Sequence, residues 1–327
     1  MRLFNKSFIL LTLISVSLLL TFSSSTPSNL SSFAYIEHDP ITIDSDDDFT
    51  LLNLTGTGTP QDPYIIANFS ISGSYDWGIR ITSTTKYFVI RDCIISSVKI
   101  GIYIANVSKE TVLIEDTLVI GSMFGIVINA DSCNLVNNKV LDVFYEGITV
   151  FDSFNVTLFN NLVNNTETGI RLISATNVGI FNNTISNNLI GNQNHLSLYV
   201  NYHYNLFINN TQHAIILEAG SNHSIITYND FIDNNLDGIS QAYDDGYNNS
   251  WYDKESLEGN YWSNWIGKEF YPIEGSAESK DNYPLYYPVS SNIEQKPISA
   301  TSPTIFIPLL ILCGVSLKRR RHKRKSN

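Results

Sequence analysis

Between about residues 64 and 245 apolar and polar positions alternate with period two in short runs, and the runs return at a nearly constant interval. Gly-Ile marks that interval at Gly78, Gly101, Gly125, Gly147 and Gly169. It continues at Gly191, followed by Asn192, and at Ala214, followed by Ile215, and returns at Gly238, in steps of 22 to 24 residues. After each glycine two aliphatic residues point one way, as in Ile79 and Ile81, Ile102 and Ile104, and Ile148 and Val150, while the residues between them point the other way. Counting back nine residues from each marker gives a column of Asp and Asn: Asp92, Asp116, Asn138, Asn160, Asn182, Asn205 and Asn229. The same count gives two further columns, Ile90, Ile114, Val136, Leu158, Ile180, His203, Thr227 and Ile95, Val119, Leu141, Val163, Ile185, Ile208, Ile232.

A short parallel strand cannot bury its apolar side alone, but stacked coils bury continuous columns of Ile, Val and Leu. The pattern therefore predicts an all-β fold, a right-handed parallel β-helix in one solenoid of about eight coils over residues 40–250, the hand following the bias of parallel crossovers. Glycines are expected where the chain turns sharply, and the Asp/Asn column is expected to form a side-chain ladder that satisfies buried amides. Both ends of a solenoid expose strand edges and open core. The aromatic segment 251–290, with Trp251, Tyr261, Trp262 and Trp265, is expected to cap the last coil as an irregular lid.

The chain ends bear on where such a solenoid would work. Residues 1–25 read as a secretory signal peptide, with Arg2 and Lys6 ahead of an apolar run and small residues after it. At the other end a linker at 291–303 precedes an apolar segment, 304–317, expected to cross the membrane or serve as a processed sorting signal, and a basic tail at 318–327. Basic residues directly after the span place the tail in the cytoplasm and the solenoid outside, anchored at the plasma membrane. Of the 20 Lys and Arg, seven lie in the tail and two in the signal, leaving 11 against 31 acids. An exported part near −20 argues against nucleic acid and polyanionic sugar as partners. Ten Asn-x-Ser/Thr sequons, from Asn29 to Asn248, are compatible with a glycoprotein. Cys93 and Cys133 fall at different phases of the repeat and predict no disulfide.

Three stretches carry a resemblance: GTGTPQDPYIIANFSI at 56–71, the Gly-Ile coils with their Asn-Asn second strand, and GNYWSNW at 259–265 followed by DNYPL at 281–285. Together these resemble the exported β-helix proteins related to NosD, over roughly residues 40–290. The resemblance implies a right-handed solenoid outside the cytoplasm and a role around copper. The residues give that last implication little support. Soft copper donors are Cys and Met, and beyond Met1 the chain has only Met123. His195, His203, His213 and His223 are spaced by 8, 10 and 10 residues, out of step with the repeat, so no stacked imidazole column is expected and no metal or other cofactor is assigned. His203, in an aliphatic column, is expected inside the solenoid.

The outward positions after each glycine are the natural surface for a ligand. Arg80, Tyr103, Phe151 and Arg171 are suited to stacking on neutral glycans, with Glu218 the single carboxylate of these two columns. Glycosidic hydrolysis needs two carboxyl groups at close range, so a scaffold or binding module is expected, with a polysaccharide lyase or hydrolase as the rival. Asp244 and Asp245 read as a solvated turn, and no catalytic residue is assigned.

Overall fold

The structure, a computed structural model, describes residues 35–290. The signal segment, the linker, the apolar segment and the basic tail lie outside the described residues.

Residues 35–290 form an all-β parallel solenoid of the right-handed type with about eight coils and a single short helix, Asp48–Leu51. Three parallel sheets run its length. The first holds the strands Ile94–Ser96, Leu118–Ile120 and their successors, and the second the six-residue strands from Trp77–Thr82 to Ile190–His195. The third holds Phe88–Arg91, Val112–Glu115 and their successors. Every coil pairs residue for residue with the next, so like side chains stack: Ile79, Ile102, Ile126, Ile148 and Ile170 form one fully buried column.

The register differs from a uniform nine-residue count. The residues aligned in the first turn are Cys93, Thr117, Asn138, Asn161, Asn183, Asn205, Asn229 and Asn260. Asp92, Asp116, Asn160 and Asn182 sit one place earlier, with φ between 48° and 56° and their side chains outside. The coils after Asn138 and Asn205 carry one extra residue in the turn before the second sheet, at Val143–Tyr145 and Asn210–His213, which shifts any count made backward from the glycine. For the same reason Val136, His203, Leu141, Ile208 and Ile232 face outward, as does Thr227, itself fully buried, and Leu135, Tyr202, Ile226, Val140, Phe207 and Phe231 fill the core in their place. His203 is thus not interior; it lies on the third sheet's outer face against Phe181, ring centroids 5.9 Å apart. Gly238 belongs to a longer turn and not to the glycine column, whose last members are Ala214 and Gln241.

The ladder itself is continuous. In each rung the backbone N–H donates to the next side chain's oxygen: Asn138 to Asn161 at 2.9 Å, Asn161 to Asn183 at 2.8 Å, Asn183 to Asn205 at 2.9 Å. Each Nδ2 also donates to a carbonyl of the coil before, as Asn183 does to Leu158 at 2.9 Å. A second ladder, absent from the column count, runs through Asn188, Asn210, Asn234 and Gln241. Both convert buried amides, costly when unpaired, into a stacked network.

The column glycines are not at turns with positive φ; that role is taken by Asn, Asp and Ser. They are required because coils approach closely: a Cβ on Gly125 would lie 2.1 Å from the Gly147 carbonyl oxygen and 2.6 Å from Val140.

Both ends are closed. At the start, Asp44 pairs with Arg80 and accepts from Thr82 at 2.6 Å, Asp46 accepts from Thr84 at 2.7 Å, and the buried Phe49 stacks on Tyr64 at 4.5 Å. At the finish, Phe207, Phe231, Trp262 and Tyr271 form one column of rings, successive centroids 5.2, 4.1 and 4.0 Å apart. This closure is less irregular than expected, since Tyr261–Trp262 pairs as a further strand of the first sheet, and Trp265 is only partly buried. Asp244 is buried and accepts from Trp251 Nε1 at 2.9 Å and Ser279 at 2.8 Å, while Asp245 accepts from the Tyr243 hydroxyl; the pair clamps the closing segment.

Asp281 terminates the asparagine ladder, accepting from Asn260 N at 2.7 Å and Trp262 Nε1 at 2.9 Å. Burial pushes its carboxyl up to about 6, these hydrogen bonds only partly offsetting it. A carboxyl raised in the fold stabilises it fully below the unfolded value of 3.8, and that contribution is lost as pH rises through about 6. At about 1.4 kcal/mol per pKa unit, Asp281→Asn is expected to remove a fall of about 2 kcal/mol between pH 4 and pH 7. The difference between the two proteins in urea unfolding over that range measures it.

Candidate functional site on the second sheet

The second sheet presents its outer side chains in register over successive coils, and its two halves differ in chemistry. The first half is apolar and aromatic. Trp77, Ile100 and Phe124 share one outward column; Arg80, Tyr103 and Val127 share the next. The Arg80 guanidinium sits 5.0 Å from the Trp77 ring centroid, and Phe124 stacks on Tyr145 at 5.2 Å.

The second half is a row of polar side chains bonded across coils. Thr149 Oγ1 donates to Glu146 at 2.8 Å, and Arg171 Nε lies 3.3 Å from the same carboxylate. Arg171 Nη1 donates to Gln193 Oε1, and Gln193 Nε2 donates to Glu218 Oε1. Glu218 Oε2 is 2.6 Å from His195 Nδ1. The row crosses four adjacent strands and stays open to solvent, with the His195 side chain 44% exposed. Because a carboxylate only accepts, Nδ1 carries a proton toward Glu218, and Nε2 faces away from it.

Of the expected binding residues, Arg80, Tyr103 and Arg171 stand in one column. Phe151 stands in the neighbouring column with Asn129, Ile173 and His195, and Glu218 follows the strand Ile215–Leu217. All five share this face. Sequence reasoning passed over Glu146, which precedes its glycine, and Gln193, whose coil lacks the isoleucine marker, and weighed His195 only as a member of a histidine cluster and not as part of this face. Tyr243 continues the Arg80 column, pairing with Ile216.

Copper does not fit the described residues. Cys93 and Cys133 are buried separately, their thiols pushed up to about 11 and about 12 by burial, and each donates to a backbone carbonyl. His195, His203, His213 and His223 are each taken by a different partner, Glu218, Thr227, Glu274 and Asn248. No group of three His, Cys, Asp or Glu side chains converges among the described residues.

A parallel solenoid with a continuous row of bonded polar side chains on one outer face defines the class of protein. Its family follows from the sequence match: the chain belongs to the family described as periplasmic copper-binding protein (NosD), matched over residues 56–267. No curated protein matches. Among solved structures it is similar to two mannuronan C-5 epimerase modules of Azotobacter vinelandii. The AlgE4 A-module is 13% identical, with 68% of this chain and 62% of that chain covered and a TM-score of 0.43. The AlgE6 A-module is 15% identical, with 75% and 79% covered and a TM-score of 0.41. The chain thus spans under two thirds of the AlgE4 module.

Proposed function

We propose that this protein is an exported, membrane-anchored surface scaffold whose second sheet binds neutral glycans. The observation that carries the reading is the single file of Glu146, Thr149, Arg171, Gln193, Glu218 and His195, continuous with an aromatic patch at Trp77, Tyr103 and Phe124. Apolar rings beside fixed hydrogen-bonding groups form the surface that an uncharged sugar chain needs, and strands about 4.8 Å apart repeat at close to the length of one pyranose. The acidic balance of the chain favours uncharged polymers over polyanions. Glycosidic cleavage is the weaker reading, because Glu146 and Glu218 stand three strands apart, about 14 Å along the stack, whereas a hydrolytic pair sits about 5 to 9.5 Å apart.

Affinity electrophoresis against neutral polymers tests this. Tyr103→Ala and Arg171→Ala are each expected to weaken retention about tenfold, or about 1.4 kcal/mol. No retention of the wild-type protein, or retention unchanged in both variants, ends the proposal. Export is supported by the family's periplasmic description and by segment 1–25, and anchoring by the apolar segment 304–317 alone. Among the described residues no helix is long and apolar enough to cross a membrane. Carbonate-resistant association of the full-length chain with membranes, lost on deletion of 304–327, is the expected result.

A further inference from the structure

We infer that the His195–Glu218 pair is a hydrolytic centre that removes O-acyl esters from the glycan held along the second sheet. The inference rests on the glycan reading for its substrate only; the chemistry comes from the pair and its neighbours. Glu218 is gripped from two sides, by His195 Nδ1 at 2.6 Å and by Gln193 Nε2, so the imidazole is fixed in one tautomer and one orientation. Its Nε2 forms no hydrogen bond within the protein and is reached by water, the side chain being 44% exposed. A histidine with a structural role on a surface has no need of a carboxylate braced in turn by a third side chain; a general base does.

The second requirement is positive charge for the oxyanion. Arg171 lies on the adjacent strand, paired with Gln193, two residues before the Ile173–His195 register pair. Its Nε faces Glu146 and its Nη1 donates to Gln193, which holds the guanidinium against the sheet and leaves Nη2 for a substrate oxygen. One base and one cation are enough for an ester, whereas a glycosidic bond also needs an acid at the leaving oxygen.

In the step proposed, His195 Nε2 takes a proton from water as the water oxygen bonds to the acyl carbon, and the carbonyl electron pair moves onto the oxygen facing Arg171. Collapse of that intermediate breaks the bond to the sugar oxygen, which takes the proton back from Nε2. The products are a carboxylic acid, ionised to bulk water, and a free sugar hydroxyl. His195 is the catalytic base, and Glu218 is a positioning residue.

The test is acetate release by the full-length protein from acetylated xylan and acetylated glucomannan, with retention on the same polymers measured in parallel. Wild-type release above the buffer rate, falling at least about a hundredfold in His195→Ala with an unchanged β-sheet circular dichroism spectrum, is expected. Glu218→Gln lowers kcat with KM little changed, and Glu218→Asp restores part of it; a merely structural role for Glu218 would not give that split. No release above buffer, or equal release by His195→Ala, overturns the inference. Retention without release leaves the binding proposal standing alone, and loss of both ends both.

Discussion

Gly125→Val is expected to leave no folded solenoid at room temperature. The added carbon would stand 2.1 Å from the Gly147 carbonyl oxygen and 2.6 Å from a Val140 methyl, and the first of these is backbone locked in the stack. Relief requires coils to separate where the strands Phe124–Asn129 and Glu146–Phe151 pair, which sacrifices hydrogen bonds and core contact together. Overpacking alone costs about 1 to 3 kcal/mol, and each buried backbone group left unpaired adds about as much. The sum matches or exceeds the usual stability of a single cooperative unit. Ala214→Gly, in the same column where a Cβ is already accommodated, is the control and is expected to cost only about 0.5 to 1 kcal/mol. Far-ultraviolet circular dichroism with urea titration distinguishes the two; a cooperative transition for Gly125→Val near that of the parent would refute the close-approach account.

Asn183→Ala is the second large effect expected, at about 3 to 5 kcal/mol. The Asn183 Oδ1 accepts from both the backbone N and the Nδ2 of Asn161, and its own Nδ2 serves the carbonyls of Leu158 and Phe181 and the oxygen of Asn205. Truncation strands two donors and one carbonyl in a place with no access to water, at about 1 to 3 kcal/mol each before relaxation. Asn182→Ala, one residue away on the outside, removes a single exposed bond to Asn160 and puts alanine at a φ of 56°, and is expected to cost about 1 kcal/mol. Urea midpoints for the two variants separate the inner ladder from the outer row. Equal midpoints would contradict it.

That pair of neighbours also shows what the sequence could and could not tell. The period, the sheet-forming alternation and the aromatic closure are legible because each depends on residue type repeated many times, as with Ile79, Ile102 and Ile126. The exact register is not, because an extra residue at Val143–Tyr145 moves Asn138 relative to Asn160 without leaving any compositional trace; both are asparagines in Asn-Asn pairs. The closure of the first coil was equally hidden. Asp44 and Asp46 meet Arg80, Thr82 and Thr84, some 36 to 38 residues away, only once the coil has closed, and nothing local in the sequence marks those pairings. On the candidate face, Tyr103, Arg171 and Glu218 were found from periodicity, whereas His195 and Gln193 sit in the coil whose marker reads Gly-Asn. There the buried positions Asn192 and Asn194 bond the Tyr202 hydroxyl, and the usual aliphatic cue is missing.

At Val143–Tyr145 and Asn210–His213 the extra length is carried by the exposed Phe144 and Thr211, Val143 and Asn210 stay buried, and the inner stack keeps its spacing, since Lys139–Leu141 and Glu146–Phe151 still pair in step with the next coil. Length variation at that corner is therefore decoupled from the load carried inside. The first of these corners borders Glu146, so peptide grafted next to Phe144 would remodel the rim of the proposed binding face while the paired strands beneath it keep their register.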